Sequence, residues 1–179
     1  MLGAPALALE WSDVAAAAHH ALSAAGGAGT PGATVLSRAE AADIDAISAQ
    51  IIPSDDTPGA HEAGVVFFID HALATFFAPL AREFRTQLGL FQAACSALHP
   101  GKSFAALPAE QQIEFLKTMD STPFFARMRL LTVLGMFAMP AYGGNRNNVG
   151  WALLGFEDQH VFEPPFGYYD RAYPGFESP

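Results

Sequence analysis

The sequence predicts an all-α protein: a small helical bundle with a loop-rich C-terminal segment. Three observations carry this expectation. Apolar residues recur in steps of three and four through the middle of the chain. Helix-start signals stand directly before these runs. No stretch of useful length alternates apolar with polar residues as a half-buried strand does, and no internal repeat is visible.

Taken in order, residues 1–35 read as a mobile N-terminal arm. An Ala-rich stretch at 13–25 has good helix propensity and runs into Gly26-Gly27-Ala28-Gly29-Thr30-Pro31-Gly32, a flexible linker. The packed domain, 36–179, opens at Leu36. Ser37-Arg38-Ala39-Glu40 is a capping box, and Ile44, Ile47 and Ile51 follow on one face, so a helix is expected over 38–51. The Pro/Asp/Gly stretch at 53–59 ends it. A second helix over 61–77 carries Val65, Val66, Ile69, Leu73, Phe76 and Phe77. A third, over 79–98, carries Leu80, Phe84, Leu88, Phe91, Cys95 and Leu98, the clearest helical stripe in the chain. His99-Pro100-Gly101 stops it. Leu107-Pro108-Ala109-Glu110 opens a short helix to 119, and Thr122-Pro123 opens another to 138, each with proline in its first turn. From about 140 the chain is rich in Gly, Pro, Asn and aromatics without periodicity, and is expected to lie over the bundle as an irregular tail.

Composition narrows the function. The chain has 179 residues, enough for one domain. It is 51% hydrophobic and only 15% charged, where a soluble domain usually carries about a quarter. Its 15 Phe read either as a Phe-rich core or as apolar surface meant for a partner. A net charge of −9 with nine Lys+Arg gives nucleic acid no basic stripe, and offers anionic lipid no basic cluster. Cys95 is the sole cysteine and sits on an apolar helix face, so it reads as an inert buried thiol. The longest apolar stretch, 124–140, is interrupted by Arg127 and Arg129 and is shorter than the roughly 20 residues a membrane span needs. Residues 2–9 are apolar with Ala6-x-Ala8 before Glu10. They read either as the remnant of an export signal lacking its charged n-region or as an ordinary N-terminus.

The most unusual segment is Tyr142-Gly143-Gly144-Asn145-Arg146-Asn147-Asn148-Val149-Gly150-Trp151. Paired glycines permit close backbone approach, Asn and Arg supply dense hydrogen-bonding capacity, and Arg146 can grip a carboxylate in bidentate fashion. Tyr142 and Trp151 are amphipathic side chains of the kind enriched at interfaces. Three readings stand: a turn that docks the tail, an interface loop, and a small-ligand site. As interface residues the candidates are Tyr142, Gly143, Gly144, Asn145, Arg146 and Trp151. Catalytic signatures are missing: no phosphate loop, no Gly-x-Gly-x-x-Gly after a strand, no nucleophile elbow and no Cys-x-x-Cys-His. No cofactor is therefore expected in this chain. A rival reading places a metal or ligand at Asp55, Asp56 and His61, as in a small metal-dependent enzyme or ligand-binding domain. Aspartates in a turn before a helix, however, more often cap it or complement its dipole.

Ile51-Ile52-Pro53-Ser54-Asp55-Asp56-Thr57-Pro58-Gly59-Ala60, followed by an apolar helix, resembles the N-terminal signature of the gluconate 2-dehydrogenase subunit 3 family. Phe125, residues 129–135 and the block from Pro140 to Trp151 resemble its second signature, at fitting spacing, so that the likeness covers about 36–157. The resemblance implies a non-catalytic small subunit of a heterotrimeric, FAD-dependent sugar, sugar-acid or alcohol dehydrogenase. Its implied partners are a large FAD-containing subunit of the glucose-methanol-choline type and a multihaem cytochrome c subunit. The small subunit would support export, stability and assembly of the flavoprotein. The complex would be periplasmic and held at the inner membrane through those partners. Small subunits of this kind typically carry a twin-arginine signal. This sequence has neither Arg-Arg nor a full hydrophobic signal region, so export through it is an expectation about a precursor.

Overall fold

A computed structural model of the chain describes residues 35–159 and 161. Among the described residues there are six α-helices: α1 (Arg38–Ile51), α2 (Val65–Ala74), α3 (Ala78–Leu98), α4 (Ala109–Met119), α5 (Pro123–Phe137) and α6 (Val149–Leu153). Short 3-10 turns at Phe104–Ala106, Pro140–Tyr142 and Arg146–Asn148 link them, and there is no strand among the described residues. The chain is all-α, as its periodicity predicts. The N-terminal arm with its Ala-rich stretch lies outside the described residues, as does the tail from 162 onward.

α1 starts where its capping box places it. Glu40 N donates to Ser37 Oγ at 3.2 Å, and Ser37 N donates back to Glu40 Oε2 at 2.7 Å. Ile44 and Ile47 face the core. α2 is shorter than its apolar pattern suggests. Gly64 has a left-handed backbone, φ +66°, so residues 61–64 form a turn and the helix begins at Val65. At the other end Phe77 N reaches back to Ala72 O at 2.7 Å, which turns the chain early. Phe76 is thereby set against Phe68 and Phe77. α3 buries the middle of its predicted stripe, Phe84, Leu88, Phe91 and Cys95, whereas Leu98 at its end is 64% exposed. Thr122 Oγ1 caps α5 by accepting from Phe125 N at 3.2 Å, with Pro123 in the first turn.

α5 is the central element: it packs on α1, α2 and α3, and α1 in turn packs on α2, α4 and the Phe104 turn. Phe91 is the aromatic hub. Its ring lies 5.2 Å from Phe104, 5.1 Å from Phe115 and 5.1 Å from Phe124, in tilted or edge-on geometry. Cys95 is buried in this layer, and burial, with the Asp43 charge, pushes its thiol pKa up, consistent with a packing role.

The turn at Phe104–Ala106, which periodicity does not reveal, is held by polar groups inside the core. Buried Asp43 accepts from Ala105 N at 2.9 Å and from Gln92 Nε2 at 2.8 Å. Gln112 donates to Phe104 O at 3.1 Å and accepts from Gln50 Nε2 at 2.8 Å. These bonds fix α1, α3 and α4 against one turn. Asp43→Ala strands two donors and is expected to lower stability by about 2–3 kcal/mol. Urea unfolding followed by helical circular dichroism measures this.

Glu40 also pairs with Arg85, at 2.9 Å. Burial raises the Glu40 pKa, but hydrogen bonds from Arg85 and Ser37 outweigh it and hold the carboxyl below its ordinary 4.5. The sign follows from a depressed folded-state value. The stabilisation is complete above 4.5 and is lost as pH falls through the folded-state pKa. Glu40→Gln is therefore expected to cost about 0.5 kcal/mol at neutral pH. Thermal melts of both proteins should converge on acidification below 4.5.

Candidate functional site

An α-helix leaves its last four carbonyls without intrahelical partners. In α5 these belong to Leu134, Gly135, Met136 and Phe137, of which Gly135 and Met136 are buried and the other two half-buried. The loop 138–151 is built around them. Ala138 N donates to Leu134 O at 2.8 Å, Asn145 N to Gly135 O at 2.8 Å, and Trp151 Nε1 to Phe137 O at 2.9 Å. Met136 O faces Gly150 so closely that a Cβ there would lie 1.9 Å from it. Gly144 is under the same constraint, since a Cβ would stand 2.2 Å from Gly135 O. Only glycine fits either position.

Asn145 is the centre of this cap. It is fully buried, its Nδ2 donates to Ala138 O at 3.0 Å, and its Oδ1 accepts from Gly150 N at 2.8 Å. Its backbone is left-handed, φ +44°, as are those of Asn147 and Asn148, at +57° and +56°. Asparagine is among the non-glycine residues that tolerate this region best. The asparagine run thus serves backbone conformation as much as hydrogen bonding.

The six candidate interface residues fall into groups. Gly144 and Asn145 are buried and hold the loop to α5. Gly143, φ +98°, is half-buried against the backbone of Phe67. Tyr142 and Trp151 are half-buried: Tyr142 meets the Phe76 ring edge-on at 6.0 Å, and Trp151 meets Phe156 at 5.2 Å. Arg146 is exposed. Its backbone N donates to Ala63 O at 3.0 Å and its Nε to Gly143 O at 3.3 Å. Its guanidinium carbon sits 3.5 Å above the centroid of Phe67.

Sequence reasoning missed Gly64 and Phe67. A Cβ on Gly64 would come within 2.6 Å of Arg146 Cδ, so this glycine both delays the start of α2 and clears a path for the arginine stem. A glycine inside an apolar helical run was the available signal.

The residues of the rival metal reading do not come together. His61 Nδ1 pairs with Asp45 Oδ2 at 2.7 Å. Asp55 accepts from Thr57 N and Oγ1, both at 2.9 Å, which closes a local turn. These Thr57 hydrogen bonds, backbone first, lower the Asp55 pKa. Glu62, whose pKa is lowered by Ser54 and by Gly59 N, caps the same segment. Among the described residues no group of three His, Cys, Asp or Glu is placed to share a metal ion. Asp55, Asp56 and His61 are turn and surface residues here.

α5 has a second notable feature. Its apolar residues are spread around the helix, interrupted by Arg127, Arg129 and Thr132. Of these, Ala126, Leu130 and Val133, one helical stripe, lie open, with Leu130 41% and Val133 40% exposed. Met139, Leu153, Leu154 and Phe156 are exposed near its C-terminal end.

A helical bundle that closes its central helix with a Gly-Gly-Asn-Arg loop and leaves that helix partly bare is a protein of the small all-α class. The family model for gluconate 2-dehydrogenase subunit 3 matches residues 38–158, and the chain belongs to that family. It is, by that membership, a subunit of a dehydrogenase. No curated protein and no solved structure matches the chain.

Asn145→Ala removes two side-chain hydrogen bonds and leaves Ala138 O and Gly150 N unpaired, and Gly150→Ala forces the loop off Met136 O. Each is expected to destabilise by about 2–4 kcal/mol. Chemical denaturation midpoints matching the wild type would show that the loop is not the cap of α5.

Proposed function

We propose that this chain is the non-catalytic small subunit of an FAD-dependent sugar, sugar-acid or alcohol dehydrogenase. It supports export, stability and assembly of the flavoprotein subunit. The observation that carries this reading is the bare face of α5. Leu130 and Val133 lie exposed with Ala126 on one stripe of this helix, which is surface suited to burial against another polypeptide. An apolar groove of about 280 Å³, lined by Leu90, Phe91, Met119 and Pro123 among others, opens at the N-terminal end of the same helix. Family membership supplies the second support, since it makes the chain a subunit of a dehydrogenase.

In this reading the partner is a large glucose-methanol-choline-type subunit that holds FAD and oxidises the substrate. A multihaem cytochrome c subunit takes the electrons. The complex works in the periplasm and meets the inner membrane through its partners. Among the described residues no helix is long and apolar enough to cross a membrane.

Co-expression of the flavoprotein with and without this chain tests the proposal. Higher yield, periplasmic location and dehydrogenase activity are expected only when the chain is present; equal values in its absence refute it. Leu130→Asp is expected to keep the melting temperature within a few degrees, because the site is exposed, and to abolish co-purification of the flavoprotein.

A further inference from the structure

We infer that Arg146, stacked on Phe67, is a preformed receptor for a carboxylate side chain of the partner subunit. The inference rests on the subunit reading above and adds the chemistry of one contact.

Four observations carry it. The stem of Arg146 is pinned between Gly64, whose absent Cβ leaves it room, and the Phe67 ring, which its guanidinium covers at 3.5 Å. The backbone N and Nε are already committed, to Ala63 O and Gly143 O. That leaves Nη1 and Nη2, the two donors of the outer edge, with no hydrogen-bond partner among the described residues and in an exposed position. Arg85 and Arg127 are spent on Glu40 and Glu83, and the exposed Arg38, Arg82 and Arg129 stack on no aromatic ring among the described residues, so Arg146 alone is both stacked and without an acid. In a chain of net charge −9, an arginine held rigid and left without an acid is a vacancy for one.

The geometry selects the ligand. Two parallel donors on a fixed guanidinium edge match the two oxygens of a carboxylate. Immobilising a free arginine normally opposes binding, and here folding has already ordered it. Phe67, half-exposed beside it, supplies apolar area next to the charge, as at a protein interface and not at a solvated ion site. A phosphate of an anionic lipid offers the same charge, but residues 60–80 and 130–159, the segments that meet at Arg146, contain no other Lys or Arg to build the basic cluster that membrane docking needs.

The test uses the full chain and the flavoprotein subunit of the same organism, with affinity measured over a range of NaCl concentrations. Arg146→Gln is expected to weaken the complex by about tenfold or more and to flatten its salt dependence. Arg146→Lys, which keeps the charge but loses the planar fork, should recover only a minor part of the loss. Phe67→Leu should weaken binding about threefold by releasing the stacked guanidinium. Thermal melts of the isolated variants should stay near the wild type, which separates recognition from folding. Wild-type affinity in Arg146→Gln, with binding still lost in Leu130→Asp, overturns this inference and leaves the subunit reading standing. Absence of any complex with the wild-type chain overturns both. Binding of the wild-type chain to phosphatidylglycerol vesicles that Arg146→Gln abolishes overturns the protein carboxylate in favour of lipid phosphate.

Discussion

The end of α5 is the constraint on which the rest of the structure depends. The last carbonyls of a helix have no intrahelical partner, and one that is buried and left unpaired costs about 1–3 kcal/mol. Here the chain turns back and satisfies them with its own next segment: Asn145 N on Gly135 O, the Trp151 indole on Phe137 O, and Asn145 Nδ2 on Ala138 O. Two close approaches, Gly144 to Gly135 O and Gly150 to Met136 O, set how near the loop lies. Once those are met, the path of the chain from Ala138 to Trp151 has little freedom left.

The same cap organises the surface. Because Asn145 points inward, the next residue must leave the loop on the far side, where Arg146 N bonds Ala63 O and its side chain crosses Gly64 to reach Phe67. The turn before α2 and the turn after α5 are therefore one structural unit, although they lie far apart in the chain. The Asn145 side chain is consumed in building the loop. What remains outward is Arg146 on the half-exposed Phe67, the side chains of Asn147 and Asn148, and the edges of Tyr142 and Trp151.

Elsewhere the core is ordered by a few buried polar groups set among phenylalanines. Asp43 and Gln112 fix the Phe104 turn, and Thr132, which donates to Met128 O at 2.8 Å and meets Ser48 Oγ at 3.3 Å, registers α5 on α1. Apolar packing alone tolerates rotations and slips of one helix on another; directional bonds do not. A bundle so registered can leave a stripe of α5 uncovered without losing its arrangement, because the other sides of that helix are held.

The helices were readable from sequence because their signals are local. The Ser37–Glu40 box, Thr122-Pro123 and the Phe84–Leu88–Phe91–Cys95 stripe each specify a helix through neighbours within a few residues. The family was readable for a similar reason, since its signatures are short ordered strings, matched over 38–158. The Tyr142–Trp151 loop stood out by composition, but its purpose did not. That Asn145 is buried, that Gly150 faces Met136 O, and that Phe67 lies under Arg146 are facts about segments distant in sequence brought together. Gly64 delaying the start of α2 and Asp43 anchoring an unforeseen turn belong with them. Propensity and periodicity report how a segment fits itself. Capping, close approach and stacking between remote segments depend on where the bundle places them, and tertiary packing alone decides that.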